Sequence, residues 1–229
     1  MMKLIRLEWK KNNVLKYIRN AVITTVIITI FIVAMAGELE AGGTVQLYGK
    51  SMLGTAVELF VHMAYIVFTG IMLASFIVGA YEKKTMNLMF SYPIKRKKIL
   101  LSKMTAVWIF NFIAMVISKL LIYVVLILTS SFTEISVSGI RFGELSFWLD
   151  MFLSSAAMVS ISYIALPVGL KMKSSKATIV SSVVIVCFTQ GNIGSATLVN
   201  NISFFVILFA AAIVSAYLSV YNVEKKDLL

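Results

Sequence analysis

The chain of 229 residues has one cysteine, Cys187, and one histidine, His62. A lone thiol cannot build a disulfide framework or a thiol-rich metal site, and a lone imidazole cannot anchor a histidine-based metal centre within one chain. Charge is also scarce: 14% of the residues are charged against 60% hydrophobic, where soluble domains average about 25% and about 45–50%. A mean hydropathy of +0.94 excludes both an ordinary soluble domain and a disordered chain. Only 2 prolines and 12 glycines are present, which excludes a fibrous repeat. Acids are outnumbered, 10 against 21 Lys and Arg, for a net charge of +11. On a soluble protein that excess would point to nucleic acid. Here the basic residues stand at the ends of apolar segments, so they read as topology signals and no nucleic-acid partner is expected.

What is present is a series of six apolar segments: Asn20–Ala36, Leu59–Ala80, Met104–Thr129, Met151–Leu170, Ala177–Val199 and Ile202–Tyr221. Each is near the roughly 20 residues that cross about 30 Å of hydrocarbon. The expected fold is therefore all-α, a polytopic membrane protein of six transmembrane helices forming a single domain over residues 1–229. With both termini in the cytoplasm, 18 of the 21 Lys and Arg lie inside and only Lys50 and Arg141 outside, the bias that the positive-inside rule requires. The fifth segment is apolar only to Phe188 and then turns polar through Gln190–Ser195. Irregular backbone at membrane depth survives only when buried in protein or lining water. A short fifth helix followed by an extracellular or re-entrant element over 189–201 is expected, either gating an exit or simply turning the chain.

Residues 1–19 carry Lys3, Arg6, Lys10, Lys11, Lys16 and Arg19, too many charges for an ordinary signal-peptide leader. Leu4, Leu7, Val14, Leu15 and Ile18 fall on one helical arc, with Trp9 and Tyr17 suited to the headgroup region. This predicts an amphipathic interfacial helix ahead of the first span, the plainer alternative being a basic flank that only enforces topology. The loop 81–103 is richer. Glu82 closes the second span, Lys84-Thr85 follows, then a short apolar stretch Leu88-Met89-Phe90, a turn Pro93-Ile94-Lys95-Arg96, and Lys103 returning to the membrane. Leu88, Met89 and Phe90 need a surface to bury against, whether lipid headgroups, the rest of the chain or a soluble partner.

That succession of residues resembles the type-2 ATP-binding-cassette exporter permeases. The family commonly has Gly-Thr where this chain has Lys84-Thr85, and Gly where it has Ser102. The resemblance implies a cytoplasmic coupling helix between the second and third spans, docked on a separate ATPase, with Glu82, Thr85, Leu88, Met89, Phe90, Pro93 and Arg96 as the ATPase-coupling residues. It further implies a dimer, with itself or a related permease, bound to two copies of the ATPase. ATP and Mg would belong to that partner, and this chain would hold no cofactor and catalyse nothing itself. Small Lys- and Ile-rich, proline-poor permeases of this kind resemble those of Gram-positive bacteria, in lantibiotic self-immunity and phenol-soluble-modulin export. The implied substrate is an amphipathic peptide, and the implied location is the bacterial cell membrane.

Catalytic patterns are absent. Gly49-Lys50-Ser51 matches the end of a P-loop, but Thr44 stands where the first glycine is required. Glu58 lies four residues before His62 on one helical face, a conceivable proton-linked pair beside the simpler reading of a packed histidine. Lys119 falls well inside the third span, where an ammonium costs about 2.5–3.5 kcal/mol on insertion scales. It is expected either to face a substrate cavity, with Asn111 and Ser118 extending a polar stripe, or to snorkel outward. Pro167 near Gly169 predicts a kink at the inner end of the fourth span. The competing class is an ATPase-independent secondary carrier or channel, for which repeats or several intramembrane ionisable groups would be expected.

Overall fold

Apolar runs flanked by Lys and Arg have one low-energy backbone in lipid, the α-helix, which satisfies every peptide group within the segment. The computed structural model describes residues 2–41, 52–82, 96–131, 143–190, 192–193, 196–197 and 202–225, and among them it is helical apart from one short β pairing. The helices are α1 (Met2–Lys11), α2 (Val14–Ala41), α3 (Met52–Leu73), α4 (Gly79–Glu82), α5 (Arg96–Ser130), α6 (Leu145–Ile161), α7 (Ala165–Met172), α8 (Ser175–Gln190) and α9 (Ile202–Lys225). A π-helical segment, Ala74–Val78, joins α3 to α4, and a 3-10 turn, Ser162–Ile164, joins α6 to α7.

Four stretches are long and apolar enough to cross a membrane: Val14–Gly37, Leu53–Glu82, Lys97–Ser130 and Leu145–Met172. They overrun the first four predicted spans because a helix continues past the hydrocarbon into its charged flanks. The other two predicted spans fall on shorter apolar helices, Ser175–Gln190 and Val206–Val220. Sixteen residues in α8 rise about 24 Å, less than the roughly 30 Å hydrocarbon core. Beyond it, Asn192 pairs with Thr197 and Ile193 with Ala196, antiparallel, where a re-entrant or extracellular element was expected.

The first helix ends earlier than the amphipathic pattern indicates. Asn13 has φ 49°, a left-handed conformation that asparagine tolerates better than most residues. The Asn12 side chain donates to the Glu8 carbonyl at 3.0 Å and to Glu8 Oε2 at 3.3 Å. The interruption therefore sits at Asn12–Asn13, and Val14–Arg19 belongs to the long apolar helix instead of the interfacial one. Near Pro167 the distortion has a plain cause. Proline lacks the N–H that would bond the carbonyl of Tyr163, and its ring crowds that carbonyl; the 3-10 turn contains Tyr163.

By its contacts the chain forms two compact units. One comprises Met1–Val14, Tyr65–Phe112 and Ala157–Leu229, the other Leu15–Ala64 and Ile113–Ala156. In the first, α8 packs against α7 and the π segment through a stripe of small polar residues. Ser175, Thr178, Ser182 and Thr189 recur at helical spacing, and the last three are buried, while Val180, Val184 and Phe188 on the other side are exposed. Close approach is permitted by glycine. A side chain at Gly70 would overlap Ser182, and one at Gly169 would overlap Thr178 and press on Val78. Small residues let helices meet this closely where no hydrophobic force between them exists in lipid.

Between α7 and α8 the chain reverses through a Schellman arrangement. Ser174 N–H donates to the Gly169 carbonyl at 3.2 Å and Lys173 N–H to that of Leu170 at 3.4 Å. Lys173 occupies the left-handed position, φ 48° and ψ 37°, which glycine adopts without the Cβ penalty. Lys173→Gly is expected to stabilise the protein by about 0.5–1 kcal/mol. A rise in unfolding temperature in detergent would show it, and a fall would mean that the lysine side chain holds the reversal.

Candidate functional site

The coupling loop is represented by its two ends. Thr85, Leu88, Met89, Phe90 and Pro93 lie outside the described residues; Arg96 is the first residue of α5, its side chain likewise outside them. What the structure does describe is how each end of 83–95 is fastened, and both fastenings lie in the first unit.

The leading end is held by Glu82. Its Oε2 accepts from Ser175 N–H at 3.1 Å and from Ser175 Oγ at 2.6 Å. The carboxylate thus sits on the first N–H of α8, where an orphan donor and the positive end of the helix dipole both favour an anion. Ser175 Oγ also lies 3.5 Å from the Ala74 carbonyl. Glu82 therefore ties the end of α4 to the start of a helix 93 residues away in sequence.

The returning end is held by Lys103, which is 1% exposed. Its Nζ donates to Glu8 Oε2 at 3.1 Å and to the Phe76 carbonyl at 2.9 Å. Phe76 lies in the π segment, whose i→i−5 bonding is seen where Gly79 N–H reaches the Ala74 carbonyl. A π-bulge releases carbonyls from the ordinary ladder, and such bulges recur at functional sites. Here the carbonyl of Phe76 accepts a hydrogen bond from a buried ammonium. One turn along α5, Trp9 Nε1 donates to the Ala106 carbonyl at 3.2 Å. The face of α1 turned toward the protein is thus Ile5, Glu8 and Trp9, while Leu7 on the predicted apolar arc is 62% exposed.

The sequence pattern singles out Glu82 and includes Lys103 as a motif position, but it misses Glu8, Ser175 and the Phe76 carbonyl, and it assigns Trp9 to the headgroup region where the structure bonds it to Ala106. One signal was available. Glu8 is the only acid among residues 1–19, amid six Lys and Arg.

The three residues expected to line a cavity are divided between the two units. Asn111, fully buried in the first unit, donates from Nδ2 to the Val107 carbonyl at 2.8 Å and to Met72 Sδ at 3.2 Å. Lys119 and Ser118 belong to the second unit. There Lys119 Nζ donates to Ser154 Oγ at 2.9 Å, and Ser118 Oγ shares a 2.6 Å hydrogen bond with Thr25 Oγ1. Lys119 is 0% exposed, so its ammonium is turned into the protein and does not snorkel. His62 is buried in α3, and no convergent group of three or more His, Cys, Asp or Glu side chains occurs among the described residues.

Four apolar helices long enough to cross a bilayer, with aliphatic surfaces such as Val22, Ile23, Ile27 and Ile30 left exposed, are the architecture of a helical membrane protein. No known family model matches the chain, and no solved structure is significantly similar to it. It is similar to an uncharacterized protein of Bacillus subtilis (strain 168), YcbO, with 28% identity over 229 residues, covering 99% of this chain and 100% of that protein.

Proposed function

We propose that this chain is the membrane-spanning permease subunit of an ATP-binding-cassette exporter, with six spans and both termini in the cytoplasm of a bacterial cell. It works as a dimer, with itself or a related permease, on two copies of a separate cytoplasmic ATPase that carries the ATP and Mg. The substrate is an amphipathic peptide, exported as a toxin or expelled in self-protection.

The observation that carries this reading is the double fastening of 83–95. A segment that receives force from an ATPase must be fixed at both ends to what it moves. Glu82 joins one end to α8, and Lys103 joins the other to α1 and the π segment. A passive connection has no use for a buried ion pair at its base, since the same volume filled with apolar side chains is often as stable or more so. The apolar Leu88-Met89-Phe90 stretch between these anchors supplies a surface for the ATPase groove.

Charge placed on that surface tests it. Leu88→Asp and Phe90→Asp are each expected to leave the chain inserted in the membrane while separating it from its ATPase and abolishing transport. Burying an unpaired carboxylate in an apolar interface costs several kcal/mol, so association should weaken by about 100-fold or more. Normal association and transport in both variants would overturn the coupling assignment and favour a carrier that works alone.

A further inference from the structure

The first unit contains an apolar hollow of about 310 Å³, at the lower end of the roughly 300–1,000 Å³ range of ligand sites. Its walls include Leu101, Met104 and Trp108 of α5, Tyr163 of the 3-10 turn, and Phe209 and Ala212 of α9. The polar atoms in these walls are already engaged. Trp108 Nε1 donates to Ser160 Oγ at 3.2 Å, and the Tyr163 hydroxyl donates to the Met104 carbonyl at 2.7 Å. What remains to meet an occupant is hydrocarbon. Along its rim Leu101 is 38%, Phe209 39% and Ile213 57% exposed, so the hollow opens sideways on a helix surface and is not sealed.

Toward its N-terminus the α5 wall of the hollow continues into basic residues. Lys97 stands four residues before Leu101 and shares one face of α5 with it, Met104 and Trp108; Lys98, three residues before Leu101, stands at the edge of that face, and both lysines are exposed. Side chains on a helix lean toward its N-terminus, so Leu101 covers surface on the side of the lysines. An occupant is therefore apolar along about 10 Å of helix, from Leu101 to Trp108 at 1.5 Å per residue, and anionic at one end. A cationic amphipathic peptide meets the wrong sign there. Basic pockets between membrane helices are a recurrent setting for anionic lipid headgroups.

We propose that this hollow binds one acyl chain of an anionic phospholipid whose headgroup is held by Lys97 and Lys98. The site goes beyond the permease reading and does not depend on it. The full chain, purified into nanodiscs of phosphatidylcholine, is doped with phosphatidylglycerol bearing a photoactivatable diazirine on one acyl chain, or with phosphatidylcholine bearing the same group. Crosslinks are mapped by mass spectrometry. Labelling by the phosphatidylglycerol probe is expected to concentrate on residues 101–108 of α5 and 209–216 of α9 over the exposed α2 face at Val22–Ile30. Its excess over the phosphatidylcholine probe should fall about fivefold for each lysine lost in Lys97→Gln and Lys98→Gln. Ala212→Trp should fill the hollow and remove that labelling while the α2 labelling, an internal control for insertion, persists. Ala216→Leu makes the same test if the tryptophan variant does not fold. Three results would overturn the site: equal labelling of the hollow and the α2 face, labelling indifferent to headgroup and lysines, or stronger labelling by a cationic amphipathic peptide probe.

Discussion

Lys103→Met is expected to destabilise the protein by about 3–5 kcal/mol, the range seen when one partner of a buried ion pair is removed. The Glu8 carboxylate would remain buried, with the Asn12 side chain still donating to it at 3.3 Å, and the Phe76 carbonyl would lose the 2.9 Å bond from the ammonium. Glu8→Leu should be damaging for the converse reason, because Lys103 would keep a carbonyl but no counter-charge. The combination Glu8→Leu with Lys103→Met should recover most of the loss, since an apolar pair of similar volume carries no desolvation penalty. Thermal unfolding of the four proteins in one detergent gives the coupling energy directly. Additive losses in the double variant would mean that the two side chains do not act as a pair. Transport should not recover with stability, because the double variant restores the packing but not the polar tie between α1, the π segment and the returning end of the loop.

The second large effect is steric. Gly169→Val places side-chain atoms where Thr178 and Val78 already are, and overpacking of this kind costs typically 1–3 kcal/mol and occasionally more. Gly70→Val meets Ser182 in the same way. Because α8 is shorter than the hydrocarbon core and held by this stripe of small residues, loosening it should detach the helix before the rest unfolds. Limited proteolysis should then cut near Lys173–Lys176 in the variants and not in the parent. Thr178→Gly should restore protection to Gly169→Val, and Ser182→Gly should do the same for Gly70→Val. Failure of each rescue would show that the glycines serve their own backbone and not the approach of α8.

The long helices were legible because hydropathy and length are properties of contiguous sequence, and lipid leaves the backbone one solution. Helix ends were less so. Predicted spans stopped where charge began, yet α3 continues through the π segment into α4 as far as Glu82, and α5 starts as early as Arg96, since a helix does not end at the edge of the hydrocarbon. The break at Asn12–Asn13 was hidden by the apolar arc through Leu15 and Ile18, which overrode the local signal of two adjacent asparagines. At the site, Glu82 was visible as the acid closing a span, whereas its bond to Ser175 joins residues 93 apart and has no sequence signature. Glu8 looked like one more charge in a basic leader, and its partner lies 95 residues on. No periodicity rule announces a π segment, so the carbonyl that Lys103 uses could not have been foreseen. The stripe expected through Asn111, Ser118 and Lys119 is divided between the two units. One helix carries all three, but Asn111 turns to Met72 in one unit while Lys119 turns to Ser154 in the other.

The most direct measurement is affinity purification of the tagged, unaltered chain in mild detergent from cells that make it, followed by assay of the eluate for ATP hydrolysis and subunit ratio. A permease subunit should bring with it a cytoplasmic ATPase at about one copy per permease chain, and the eluate should hydrolyse ATP. A pure chain with no bound ATPase and no ATP hydrolysis would contradict the proposed function. The buried Lys119 would then become the first place to look for a mechanism that works alone.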